Sequence, residues 1–283
     1  MHFSALRKLV NYSWWTKSTT ILSLFALLAA CNGLVPTTSK INEDNHESQA
    51  AQLLRIADTT RQGGDLKSAL ALYRRAHAMA PDQLKPLTAV AETAFTLEEF
   101  DQSANAYEKA LGMEANNLAI LLGYGKTLIS LDRPDQAIKH FQKAIEIAPG
   151  EYKGFNGYGV SLDMLGRHGE AQVQYNKGIE ISPEVTSLSN NLALSLAFSG
   201  NYERAIEILE MFADDPLSGV RLRQNLALVY GLAGMEKKAA KLASKDLNEA
   251  GVKNNLAYYR QLQELSSKAR AQAVFGTHKT GEQ

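Results

Sequence analysis

The sequence predicts an all-α solenoid of six helix pairs closed by a C-terminal capping helix. Three observations predict it. The stretch Leu118 to Glu151 reads as two apolar-periodic helical segments around a short polar break at Asp132-Arg133-Pro134. A pair this short cannot bury its apolar faces alone, so further copies are expected beside it. A shift of 34 residues recovers the pattern six times, with no insertion between Ala50 and Lys253.

The register rests on independent columns. A small residue recurs at Ala69, Ser103, Ala137, Ala171, Ala205 and Ala239. A bulky one recurs four positions on, at Tyr73, Tyr107, Phe141, Tyr175 and Leu209, giving way to Ala243 in the sixth copy. In the first helix of each copy a bulky residue precedes a small one, as in Tyr124-Gly125 and Tyr158-Gly159, which lets one helix cross another closely. Proline lacks a backbone donor and ends the unit at Pro81, Pro149 and Pro183, and one residue early at Pro216. Copies three and four fit best. Copy six fits least, because Ala243 and Asp246 stand where bulky and small residues are wanted. The pattern resembles the tetratricopeptide repeat (TPR), a helix–turn–helix unit of this length that stacks into a right-handed superhelix.

Taken in order, residues 1–30 read as a secretory signal. Arg7, Lys8 and Lys17 make the front basic, and the apolar run Ile21 to Ala30 is too short to span a bilayer. It ends Leu28-Ala29-Ala30-Cys31, which resembles the bacterial lipoprotein lipobox. Cys31 is the only cysteine, so no disulfide partner explains it. The expectation is a mature N-terminus at Cys31 carrying covalent lipid, palmitate included. Asn32 rather than Asp follows it, which favours the outer membrane of a Gram-negative bacterium where that sorting rule applies. Residues 31–49 are polar and are expected to form a flexible tether of roughly 20–25 Å.

Residues 50–253 hold the six units. Gly64, Gly166, Gly200 and Gly234 fall between the helices of their pairs, where a left-handed residue is wanted. Residues 254–271 read as a seventh first helix that covers the last apolar face. Residues 272–283 read as a loose tail.

Charge and motifs exclude much. The chain balances 30 basic against 30 acidic residues and has no basic stripe for nucleic acid. Gly123-Tyr124-Gly125-Lys126-Thr127 ends like a phosphate-binding loop, but Ile120 stands where the first glycine is required and the stretch falls mid-helix. The histidines share no metal-type spacing and read as solvated helix-face residues. Glu98-Glu99 point two ways. No nucleophile constellation is present. The expectation is therefore no enzyme, no metal, no cofactor beyond lipid on Cys31, and no small-molecule substrate.

What remains is a concave surface. In TPR folds the first helices line it, and the matching positions here are Lys126, Lys153, Asn156, Asn190, Asn191, Arg221, Gln224, Asn225 and, in the cap, Asn255. Amides and cations there suit a partner's backbone or carboxylate. Asn191 and Asn225 also admit a second reading, as bonds inside the stack.

The strings Arg221-Leu222-Arg223-Gln224-Asn225-Leu226-Ala227-Leu228-Val229-Tyr230-Gly231-Leu232-Ala233-Gly234 and Asn254-Asn255-Leu256-Ala257-Tyr258-Tyr259 resemble the TadD-type TPR lipoproteins of the Tad (tight adherence) system, which assembles Flp pili. The resemblance implies a periplasm-facing scaffold that binds proteins or peptides of the pilus and secretin machinery and aids secretin assembly. The alternative is a type IV pilus pilotin or another TPR envelope lipoprotein, such as a cell-wall enzyme adaptor. Cys31→Ser should leave the precursor unprocessed or release it from the membrane fraction, as read by fractionation and metabolic lipid labelling.

Overall fold

A computed structural model describes residues 38–213 and 219–276. Chain contacts divide the protein between Ile41 and Asn42. The first unit lies almost wholly outside the described residues, as do the signal segment and Cys31. The second is built of paired helices with no strand among the described residues. The pairs are α1 (Thr38–Gln62) with α2 (Leu66–Met79), α3 (Leu84–Thr96) with α4 (Phe100–Met113), and α5 (Leu118–Ser130) with α6 (Pro134–Ile147). Then come α7 (Tyr152–Met164) with α8 (His168–Ile181), α9 (Thr186–Phe198) with α10 (Tyr202–Ala213), and α11 (Gly219–Leu232) with α12 (Glu236–Ala243). Helices α13 (Glu249–Gln263) and α14 (Ser267–Phe275) complete the chain. No described helix is long and apolar enough to cross a membrane.

From α3 onward, each helix packs on its sequence neighbour, and each odd-numbered helix up to α13 also touches the next odd one. The even helices make no comparable contact with each other. One layer is therefore close-packed and the other splayed, which curves the stack with α3, α5, α7, α9 and α11 on the inside.

The small-residue column explains why the helices come this close. Ala69, Ser103, Ala137, Ala171, Ala205 and Ala239 are all fully buried. The aromatic column fills the space beside them. A methyl at Gly125 would lie 2.7 Å from the Phe141 ring, and one at Gly159 would lie 2.5 Å from the Tyr175 ring, so each glycine seats an aromatic from the second helix of its own pair. Where the small position is polar, it is bonded. Ser103 Oγ donates to Ala91 O at 2.8 Å and lies 3.1 Å from Thr127 Oγ1.

Turns follow the register closely. Residues 64, 98, 132, 166, 200 and 234 all lie in the left-handed region. Four are glycine, as expected, but Glu98 (φ 62°) and Asp132 (φ 55°) hold the same conformation with a side chain. At the other end of the first four pairs, Ala80, Glu114, Ala148 and Ser182 share one cap geometry, with φ between −133° and −140° and ψ between 72° and 83°. Three of these precede proline, which forbids the helical alternative.

The ends of the solenoid depart from expectation. Helix α1 begins at Thr38, so residues 38–49 of the expected tether are helical, while 31–37 lie outside the described residues. The sixth pair is truncated, α12 being 8 residues against 14 in α2, α4, α6 and α8. Asp246, the misfit in the small column, has left the helix and binds Arg223 on α11 through two bonds, at 3.0 and 2.5 Å. The cap begins earlier than Asn254 and is not one helix over 254–271. It breaks at Glu264-Leu265-Ser266, and Ser266 caps a second helix by accepting from Ala269 N at 3.3 Å. Residues 272–275, expected in a loose tail, belong to α14. Residues 277–283 lie outside the described residues. Helix α13 does the capping, with Tyr259 and Leu262 buried and the Tyr259 ring seated on Gly231.

Ala137→Leu should overpack a fully buried crossing and cost about 1–3 kcal/mol. Glu98→Gly should instead stabilise by about 0.5–1 kcal/mol, since a left-handed residue with a side chain is strained by roughly 1–2 kcal/mol and glycine returns part of that as chain entropy. Urea unfolding of both variants reads the two signs.

Candidate functional site

The concave helices bring five of the expected residues together. Lys126 (α5), Lys153 and Asn156 (α7), Asn191 (α9) and Arg221 (α11) line one pocket of about 430 Å³. Leu122, Ile129, Val160 and Phe141 supply its apolar wall, and Phe275 of α14 borders it. No carboxylate is among the lining residues. Arg221 is exposed and has no acidic partner among the described residues. Lys126 is also exposed, its ammonium 4.4 Å above the Phe95 ring. Lys153 lies 3.8 Å from Glu151, an exposed pairing that contributes little. The arrangement is a cationic, partly apolar recess with side-chain amides in reach.

The other amides are engaged with one another. Asn191 donates to Asn156 at 2.9 Å, Asn190 to Asn191 at 3.2 Å, and Asn225 to Asn190 at 2.9 Å. This ladder crosses three first helices. Asn190 and Asn191 are buried, so each bond made there avoids the cost of an unpaired polar group. Asn255 donates to Gln224 at 3.1 Å, tying the cap to α11. Asn190, Gln224, Asn225 and Asn255 do not line the pocket.

The first two units differ in charge from the rest. Asp58 accepts from Tyr73 OH at 2.6 Å, and burial with that bond pushes the Tyr73 phenol up to about 12. Lys85 pairs with Asp58 at 3.7 Å and Arg61 with Glu92 at 3.5 Å. A second recess of about 310 Å³, with Lys85, Thr88 and Glu92 in its wall, lies beside these pairs. The groove thus changes from mixed charge at units one and two to cationic at units three to six.

Sequence reasoning missed a buried polar cluster. Asp163 Oδ1 accepts from Ser195 Oγ and lies by His168 Nδ1, both at 2.7 Å, and Oδ2 accepts from Tyr175 OH at 2.8 Å. Burial raises the Asp163 carboxyl despite these three partners. A raised acid gives a contribution to stability that is full below the unfolded value near 3.8 and is lost as pH rises through the folded value. His168 is buried, not the solvated helix-face residue expected. The residue types are those of a hydrolytic triad, but Ser195 donates to the carboxylate and, at 3.4 Å, to the His168 backbone carbonyl rather than to the imidazole, and Asp163 and Ser195 are fully buried. The set anchors α7, α8 and α9. Its one sequence signal was an acid at Asp163 in a column that holds Ile129 and Ala197 on either side. Gly123 and Gly125 sit in the middle of α5 and seat Tyr107 and Phe141.

The tetratricopeptide-repeat family model matches residues 94–155. No curated protein matches the chain. Among solved structures, a tetratricopeptide repeat protein from Parabacteroides merdae superposes with a TM-score of 0.64 at 21% identity, covering 75% of this chain and 84% of that one. Pseudomonas aeruginosa PilF superposes at 0.55 with 19% identity, over 82% of this chain and 99% of its own. YrrB, described as a TPR protein with an unusual peptide-binding site, superposes at 0.51 with 23% identity, over 65% of this chain and 95% of that one. At these identities the likeness is one of fold: the chain is a TPR α-solenoid.

Asn191→Ala removes the middle of the amide ladder and should cost about 1–3 kcal/mol, because it leaves buried partners unpaired. Arg221→Ala, exposed and without an ion-pair partner among the described residues, should stay within about 0.5 kcal/mol of the parent. Thermal melts of the two variants separate ladder from pocket.

Proposed function

We propose that this TPR solenoid is a lipid-anchored envelope scaffold that binds protein segments during Flp (Tad) pilus assembly. The observation that carries the binding part is the recess where Lys126, Lys153 and Arg221 meet Asn156 and Asn191 with no carboxylate in the wall. Lys126 and Arg221 have no acidic partner among the described residues and Lys153 has only the exposed Glu151 pairing, so an acidic or carboxylate-bearing segment gains charge-assisted bonds there. The direction of charge along the groove supports a partner whose acidic part lies over units three to six.

The pilus part rests on the sequence resemblance at Arg221 to Gly234 and Asn254 to Tyr259, and the anchor on Leu28-Ala29-Ala30-Cys31. The two C-terminal strings fall on α11 and α13, and they meet where Gly231 seats Tyr259. TPR solenoids bind protein or peptide partners, which supports a scaffold over a catalyst. On this reading the partner belongs to the pilus or secretin machinery and the protein faces the periplasm from the outer membrane.

A deletion strain should lose surface pili and assemble less secretin while pilin synthesis persists. Complementation with a Lys126→Glu, Arg221→Glu double variant should restore protein level but not piliation, and crosslinking from intact envelopes should show at least tenfold less captured partner. Normal piliation in the deletion strain would favour a type IV pilotin or cell-wall adaptor instead. Full rescue by the double variant would remove the recess from the mechanism.

A further inference from the structure

Helix α14 is not where a cap belongs. A capping element packs on the last repeat, and α13 already does so. Past Gln263 the chain turns back, and α14 lies against α7 and α9, the inner helices of units four and five. Its Phe275 ring stands edge-on to Phe198 at 5.6 Å and forms part of the wall shared with Lys126, Lys153, Asn191 and Arg221. The chain thus places its own segment on the surface a partner would use.

The hold on α14 is narrow. Of its nine residues only Ala271 is fully buried. Arg270 donates to Leu262 O at 2.8 Å and Gln263 O at 2.6 Å, and Tyr258 OH donates to Ala273 O at 3.2 Å. These bonds join α14 to α13, and Arg270 also donates to Tyr202 OH on α10 at 3.3 Å. Against the core shared by α7 and α9 it presents buried Ala271, half-buried Ala273 and Val274 and the Phe275 ring, and at its start Lys268 lies over Gly166. A helix of nine residues does not persist alone in water, so undocking would also unfold it. Elements with so little buried apolar surface open first.

We propose that α14 is a resident occupant of the groove, an internal competitor that covers units four and five until a partner segment displaces it. The inference rests on the groove being the partner site. It further specifies what the partner must bring: an apolar, preferably aromatic, side chain to replace Phe275 beside Phe198, next to the acidic group that the cations take. The resting groove is then open over units two and three and covered over units four and five.

Hydrogen exchange on the unmodified full chain is the first test. Amides of residues 271–276 should exchange by local opening, at least tenfold faster than those of α7, α9 and α13. Exchange of α14 only in step with α7 and α9 would make it a fixed part of the fold and overturn the proposal. The second test titrates a labelled synthetic peptide of residues 264–276 against the full chain, its Ala271→Glu variant, and the milder Phe275→Ala variant. The peptide should bind whichever variant keeps parental helicity at least tenfold more tightly than it binds the parent. Equal binding, or none to a folded variant, would overturn the proposal. Neither arm uses the pilus partner, so failure of the pilus reading would appear separately, as unchanged partner capture by the groove double variant.

Discussion

The solenoid depends on one steric condition: at six positions 34 residues apart, nothing larger than a small side chain can stand between crossing helices. Ala69, Ser103, Ala137, Ala171, Ala205 and Ala239 meet it and are fully buried. Close approach lets the bulky residue one turn on reach across, so Tyr73, Tyr107, Phe141, Tyr175 and Leu209 are buried as well. Each such side chain contributes about 1.5–3 kcal/mol by leaving water, and no single pair could collect enough of these to fold alone. The turns serve the same condition. A left-handed residue between the helices sets the reversal that brings the two columns face to face, and the chain keeps that conformation even where Glu98 and Asp132 must adopt it with a side chain.

The fold was legible because this condition is periodic. A column repeats whether or not its neighbours do, so one irregular member such as Ser103 does not erase it. The ends were less legible for a matching reason. Residues 38–49 and 272–275 have no partner in the 34-residue register, so nothing periodic marked them as helical. Asp246 was visible as a misfit, but its consequence, an early end to α12 and an ion pair with Arg223, depends on a contact across the fold.

The site was legible in position but not in use. Placing nine polar residues on the concave face required only the register. Which of them remain free depends on distances between neighbouring helices. Asn191 reaches Asn156 and Asn225 reaches Asn190, each one helix pair away, so the asparagines bond across units through side chains rather than to backbone. Lys126 and Arg221 have no acidic partner among the described residues and stand beside a ladder whose amides bond one another. The cluster around Asp163 was illegible because His168, Tyr175 and Ser195 occupy unrelated columns and meet only once the stack forms.

Ladder and cluster together hold the inner helices of the groove at fixed spacing. The amide bonds fix the spacing of α7, α9 and α11, and the Asp163 cluster ties α7 and α9 to α8 from behind. Charge at the recess then acts on a rigid surface, where each contact loses little to reorganisation. What moves must therefore lie outside this framework. Helix α14 borders the recess through Phe275, takes no part in the ladder or the cluster, and is not one of the paired helices of the stack. Its ties to α13 would let it swing as a tethered piece, its local concentration keeping it on the groove until a segment with better-placed acidic and aromatic groups takes its place.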